Sequence, residues 1–204
     1  MNLEKLKQAE GLFLSKYPSG FMHPDLQAIG KKHKMDKMVE LAQQTLKKTH
    51  FKDPLAAAEA MSKVISRSSM VSLFEKPKFR DIIPTLEPAS LRQLTGGMKQ
   101  YLYGNQQKGF DDMLNVLAPV KLAKWSLMTI IPNYVHPQDE VFLKPTTVKG
   151  VIKAFELNGL EYRPLPSWDF YQRYRDTILE MKTRVDETLS PSNAAFSGFL
   201  MMSM

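Results

Sequence analysis

Basic side chains carry the plainest chemical potential in this sequence. Lys31, Lys32, Lys34 and Lys37 crowd one short stretch, and Lys76, Lys78 and Arg80 flank Phe79 in another. Lysine and arginine at that density can meet phosphates, while an aromatic ring among them can stack on a base. The placement of charge favours the same chemistry. The formal net charge is +7, yet residues 111–204 hold ten Lys/Arg against eleven Asp/Glu, so the excess belongs to residues 1–110. These residues suggest recognition of an anionic partner by surface charge.

Other chemistry finds less support. The four histidines are His23, His33, His50 and His136, and no two share the i, i+4 spacing that sets two imidazoles on one helix face for a metal. His33 falls on an apolar stripe and reads as a core histidine satisfied by a neighbour. Asp111–Asp112 and Asp139–Glu140 are adjacent acids, whose side chains point apart on a helix or strand. The absence of cysteine excludes disulfides, thiolate nucleophiles and iron–sulfur clusters. No nucleophile elbow, phosphate loop or dinucleotide fingerprint occurs. An enzyme here would have to assemble its site without a local signature, and neither a cofactor nor a metal is expected.

One local stretch resembles a known family. Thr146-Thr147-Val148, Val151-Ile152, Phe155 and Asn158-Gly159-Leu160, followed by Tyr162-Arg163, look like the recognition helix and wing start of winged-helix DNA-binding proteins. The resemblance covers fewer than twenty residues. It implies a capped helix for the major groove, a glycine turn and a β-wing, with Thr147, Lys149 and Lys153 facing DNA. The family's preceding helix and tight turn are replaced here by Pro132 to Pro145, and the region is nearly neutral.

The elements that would position these residues are mostly helices. Leu3, Leu6 and Phe13 predict a first amphipathic helix, broken at Tyr17-Pro18-Ser19-Gly20. A second begins at His23-Pro24-Asp25 and carries Leu26, Ile29, His33, Met38, Val39, Ala42 and Leu46 inward. Asp53-Pro54 is the clearest helix start, an acceptor at the cap followed by proline. That helix is expected to run to Lys76-Pro77, with Leu73 facing inward. Residues 76–88 hold three prolines and read as a loop dividing two lobes, 1–75 and 89–204. A helix over Leu91 to Tyr101 contains Gly96-Gly97, which kinks it or admits another backbone. Phe110 to Leu117 reads as a short helix, and Val120 to Ile131 as a central apolar helix stopped by Pro132. Glu140 to Lys144 and Leu160 to Arg163 suggest strands. Thr146 and Ser167 suggest caps of two further helices, the last with a seam of Tyr171, Tyr174, Ile178, Met181 and Val185.

These signals predict an all-α or nearly all-α single domain. The expected form is an irregular bundle of seven or eight helices with at most one short β-hairpin near 140–163. A chain of 204 residues suffices for a core without staples. No apolar run reaches the length of a membrane span, and residues 1–17 lack a signal-peptide core, so a soluble, cytoplasmic protein is expected. The favoured function is a non-catalytic binding module whose basic N-terminal half engages an anionic partner, nucleic acid first and an acidic protein second. The binding residues would be Lys31, Lys32, Lys34, Lys37, Lys76, Lys78, Phe79, Arg80, Lys149 and Lys153. The alternatives are self-association as a homodimer, or another protein–protein contact, through Tyr171, Tyr174 and the uncharged apolar tail with Phe196, Phe199 and Leu200, and a helical enzyme without signature.

Overall fold

The computed structural model describes residues 1–204. The chain folds into eleven α-helices, with four short 3₁₀ turns and no strand. The helices are α1 (Leu3–Lys16), α2 (Pro24–His33), α3 (Met35–Thr45), α4 (Pro54–Arg67), α5 (Glu75–Ile82), α6 (Pro88–Tyr103), α7 (Gln106–Leu117), α8 (Trp125–Val135), α9 (Pro145–Ala154), α10 (Trp168–Lys182) and α11 (Asn193–Met202). No helix is long and apolar enough to cross a membrane.

Helix starts follow local chemistry. The Asn2 side chain accepts from the Lys5 amide, Asp53 from Leu55 and Ala56, Asn105 from Lys108 and Ser192 from Ala195. Each satisfies amide donors that the helix itself leaves free. Proline occupies the first position of α2, α4, α6 and α9, where its missing N–H costs nothing.

Proline placement also explains why the helix count exceeds the expected seven or eight. Residues 76–88 are no loop. Pro77 falls in the first turn of α5, Pro84 in the 3₁₀ turn Ile83–Thr85, and Pro88 opens α6. The long second helix is in fact two, because Lys34 adopts a left-handed conformation (φ 53°, ψ 37°) between α2 and α3. That break turns the stripe out of phase and leaves Ile29 46% exposed. Helix α4 stops at Arg67, and Leu73 is 78% exposed instead of facing inward.

The central helix is α8, buried along its whole length, but it is displaced from Val120–Ile131. It begins at Trp125 and passes through Pro132 to Val135. Proline there forfeits the bond to the carbonyl four residues back. Burial of Tyr134 and Val135 offsets the loss, and the His136 amide closes the last turn on the Pro132 carbonyl.

The hairpin near 140–163 does not form. Glu140–Leu143 is buried irregular backbone, and two isolated strands would have been marginal in any case. The Leu143 amide donates to Thr129 Oγ1 and the Val141 amide to the Tyr171 hydroxyl, so side chains replace a sheet ladder. The wing implied by the winged-helix resemblance is therefore absent. Helix α9 starts at Pro145 rather than at a Thr146 cap, and a nine-residue connection separates it from α8. It ends with Glu156 left-handed (φ 50°) and the Leu157 amide bonded to the Ile152 carbonyl. Gly159 (φ 84°) sits in the turn that follows.

One contiguous apolar cluster runs through the molecule, from Leu6 to Leu200. The most extensive helix pair is α6–α7, joined by Gly104-Asn105. Gly97 and Gly109 face each other there: a Cβ on Gly97 would lie 2.9 Å from the Gly109 carbonyl, and one on Gly109 would collide with the Tyr101 backbone. Helix α6 thus runs unbroken through Gly96-Gly97, which admits a neighbouring backbone. The start of α1 is clasped to the end of α9. The Asn2 amide donates to the Phe155 carbonyl at 2.8 Å, and Glu156 accepts from Asn2 Nδ2 (2.9 Å) and Lys5 Nζ (2.7 Å).

Candidate functional site

The basic residues divide between two parts of the surface. Lys31, Lys32, Lys34 and Lys37 are exposed where α2 turns into α3. His33, expected in the core, is half-buried at the edge of that corner and meets Ser69 (Nδ1–Oγ 2.9 Å) in the segment after α4. The bond ties the lysine corner to Ser69, from which residues 70–74 lead into α5 with Lys76, Lys78 and Arg80. The chain's ion pairs include none of Lys31, Lys32, Lys34, Lys37, Lys76 or Lys78, whereas Arg80 Nε lies 2.8 Å from Asp81. Phe79 is 1% exposed and packs in the core, so its ring offers no face to a base. The exposed aromatic of this segment is Phe74, 80% exposed next to Leu73. Helical spacing continued past Arg67 turns this segment inward, and the end of α4 at Arg67 is what exposes Phe74 instead.

Lys149 and Lys153 lie elsewhere. They are exposed on α9, which packs against α11, and Lys149 Nζ rests 5.7 Å from the centre of the Tyr162 ring. The tail residues Phe196, Phe199 and Leu200 have no exposed surface, and Tyr171 and Tyr174 are buried with them in the chain's own core. Met201, Met202 and Met204 are the exposed part of the tail.

A second constellation is buried. Glu140 is 2% exposed. Its Oε1 accepts from Gln106 Nε2 (2.7 Å) and Arg175 NH1 (3.0 Å), and its Oε2 from the Tyr171 hydroxyl (2.5 Å). The Arg175 guanidinium also donates to Gln106 Oε1 (2.9 Å) and lies 5.6 Å from both the Trp168 and Tyr171 ring centres. Tyr101 and Phe110 pack around the same rings. Burial, and then the charge of the adjacent Glu140, pushes the Tyr171 phenol well above its ordinary 10.0. Burial does the same to Tyr101, whose hydroxyl has no hydrogen-bond partner. A buried carboxylate needs such company to remain charged.

This network holds a wall. Asn193 Nδ2 donates to the Glu140 carbonyl, and the Asn193 amide to the Pro137 carbonyl. Gln138 Nε2 donates to the Pro191 carbonyl at 2.7 Å, and Lys182 Nζ to Asn193 Oδ1 at 2.6 Å. Residues 137–138 and 191–194 are thereby fixed opposite α3, and a cleft of about 420 Å³ opens between them. Gln43 spans its inner end, donating to the Val135 carbonyl at 3.0 Å.

Comparison with protein-family models, with curated proteins and with solved structures gives no match. The lysine corner, the buried glutamate and the cleft are thus the whole basis for a reading of function. The corner is the one that sequence spacing points to. The other two gather Gln43, Gln106, Asn133, Glu140, Tyr171, Arg175 and Ser192 from distant positions, and no local motif could have announced them.

Proposed function

We propose that this chain is a non-catalytic binding module that holds single-stranded nucleic acid against the face formed by the α2–α3 corner and residues 69–78. The observation that supports the reading is the His33–Ser69 bond, which ties the lysine corner to the segment that runs through the exposed Phe74 into α5, with lysines of both stretches outside any ion pair. Lys31, Lys32, Lys34, Lys37, Lys76 and Lys78 supply phosphate contacts, and Phe74, rather than Phe79, supplies the stacking ring. An acidic protein would use the lysines but gain little from the aromatic, which favours nucleic acid.

The test is fluorescence anisotropy with random-sequence single-stranded DNA and RNA across a salt series. Six phosphate contacts give log K against log salt a slope of about −4 for a single strand. Replacing Lys31, Lys32, Lys34 and Lys37 by alanine should flatten that slope by about 3. Phe74→Ala should weaken binding by about 1–3 kcal/mol at constant slope. Charge reversal at Lys149 and Lys153, on a different part of the surface, should leave both quantities unchanged. Binding that ignores salt, or a quadruple variant that binds as the parent does, removes the proposal.

A further inference from the structure

Leu73 and Phe74 are the two most exposed large apolar side chains in the protein, and they are adjacent. The nucleic-acid reading uses only the ring. A leucine cannot stack on a base, so that reading leaves Leu73 in water.

The pair is held out by an ordered frame. Before it, Val71 is buried and Ser68 Oγ lies 2.9 Å from the buried Tyr134 hydroxyl. Within it, the Ser72 carbonyl accepts from the Glu75 and Lys76 amides at 3.1 and 3.2 Å, and Ser72 Oγ accepts from the Phe74 amide at 3.2 Å. Both flanks are fixed, and the two side chains stand out from the turn that leads into α5.

Helix α5 sorts its charges by face. Glu75, Phe79 and Ile83 follow one another at four-residue steps, the spacing of one helix side, and all three turn inward. Glu75 accepts from Ser126 Oγ at 2.5 Å, and Phe79 and Ile83 are buried. Phe74 already has helical backbone angles (φ −82°, ψ −26°), so Lys78 falls one four-residue step along the same outward side, and both are exposed. Lys76 and Lys78 take part in no ion pair, and the other acid of this segment, Asp81, is matched by Arg80 at 2.8 Å. The apolar turn thus has unmatched cations after it and no unmatched carboxylate up to the end of α5. The His33–Ser69 bond ties four more lysines to the segment before it.

We propose that the Leu73–Phe74 turn inserts into the headgroup layer of an anionic lipid bilayer, with Lys76 and Lys78 meeting the lipid head groups. Two apolar side chains alone hold a bilayer weakly, and so does a basic patch alone; stable peripheral anchoring takes both signals together. A lysine at the edge of the turn can lay its methylene stem along the acyl boundary and keep its ammonium among the head groups. The inference goes beyond the nucleic-acid reading and does not rest on it, because it stands on Leu73.

The test is flotation of the full chain with pure phosphatidylcholine vesicles and with mixed phosphatidylcholine–phosphatidylserine vesicles, read beside the nucleic-acid titration. Binding to the mixed vesicles, weakened by added salt, and little to the pure ones is expected. Leu73→Ser changes an exposed side chain and keeps the fold. It should weaken vesicle binding by about tenfold or more and leave nucleic-acid binding as in the parent. The double variant K76Q/K78Q should weaken vesicle binding by about tenfold. Failure to float with mixed vesicles overturns the proposal, as does equal binding to both vesicle types or a Leu73→Ser variant that floats as the parent does. Nucleic-acid binding without vesicle binding assigns the face to nucleic acid alone and overturns it too. Vesicle binding without nucleic-acid binding upholds it and removes the earlier reading.

Discussion

The Tyr171 hydroxyl donates to the Glu140 carboxylate at 2.5 Å and accepts from the Val141 amide at 3.2 Å. One phenol therefore fixes both the side chain and the following backbone of a buried glutamate. Through it α10 holds the irregular segment that forms a wall of the cleft. The acid itself is held between Tyr171, Gln106 and Arg175, so the wall is as firm as that network.

Removing the cation from this network should be costly. Arg175→Met leaves Glu140 buried without its countercharge and should lower stability by about 3 kcal/mol in urea unfolding. The double variant Glu140→Gln with Arg175→Met removes both charges and should recover more than half of that loss. A single variant within about 1 kcal/mol of the parent would show that the surrounding hydrogen bonds suffice without the ion pair.

The tyrosines give the fold an alkaline limit. Tyr101 and Tyr171 keep their protons well above the ordinary 10.0, by burial first and then by the neighbouring Tyr171 and Glu140 respectively. Burial raises Tyr174 and Tyr134 as well. In the unfolded chain the same groups ionise near 10.0, so above that pH the unfolded state binds fewer protons than the native one. Stability from these groups is present in full below pH 10 and declines as pH rises toward their folded values. In an alkaline titration the phenolate absorbance of the buried tyrosines should grow only together with the loss of helical circular dichroism. Full ionisation ahead of that loss would show the rings to be accessible.

The two glycines of α6 should respond in opposite directions. A methyl group on Gly96 meets nothing within 4 Å, so Gly96→Ala should stabilise the chain by about 0.5–1 kcal/mol. Gly109→Ala forces α6 and α7 apart at the Tyr101 backbone and should cost about 3 kcal/mol. Gly97→Ala, against the Gly109 carbonyl and Met113, should fall on the same side as Gly109→Ala. Thermal unfolding of the three variants reads the order directly.

Much of the helical content was legible because caps and prolines act locally. Asp53 with Pro54 marked α4, and the aromatic seam from Tyr171 to Met181 marked α10. The failures also have physical causes. Lys34 takes a left-handed conformation that sequence signals reserve for glycine or asparagine, so the α2–α3 break was invisible. Pro77 looked like a helix breaker and is a helix starter. Val141-Phe142-Leu143 alternates nothing and is buried as irregular chain, which no periodicity describes. At the site level, the lysine corner could be read from composition. The exposed Leu73–Phe74 turn could not, because it depends on where α4 ends, and that is a property of the folded chain alone.

The clasp of Asn2 on Phe155 and Glu156 bears on the order of assembly. The α6–α7 hairpin brings Gly97 to Gly109 across a two-residue turn and closes a short loop, whereas the clasp joins groups 154 positions apart. Closing so long a segment is entropically slow until intervening helices have condensed. The clasp is therefore expected to complete after the folding barrier, so that Asn2→Ala shortens the lifetime of the native state and leaves the refolding rate unchanged in stopped-flow measurements.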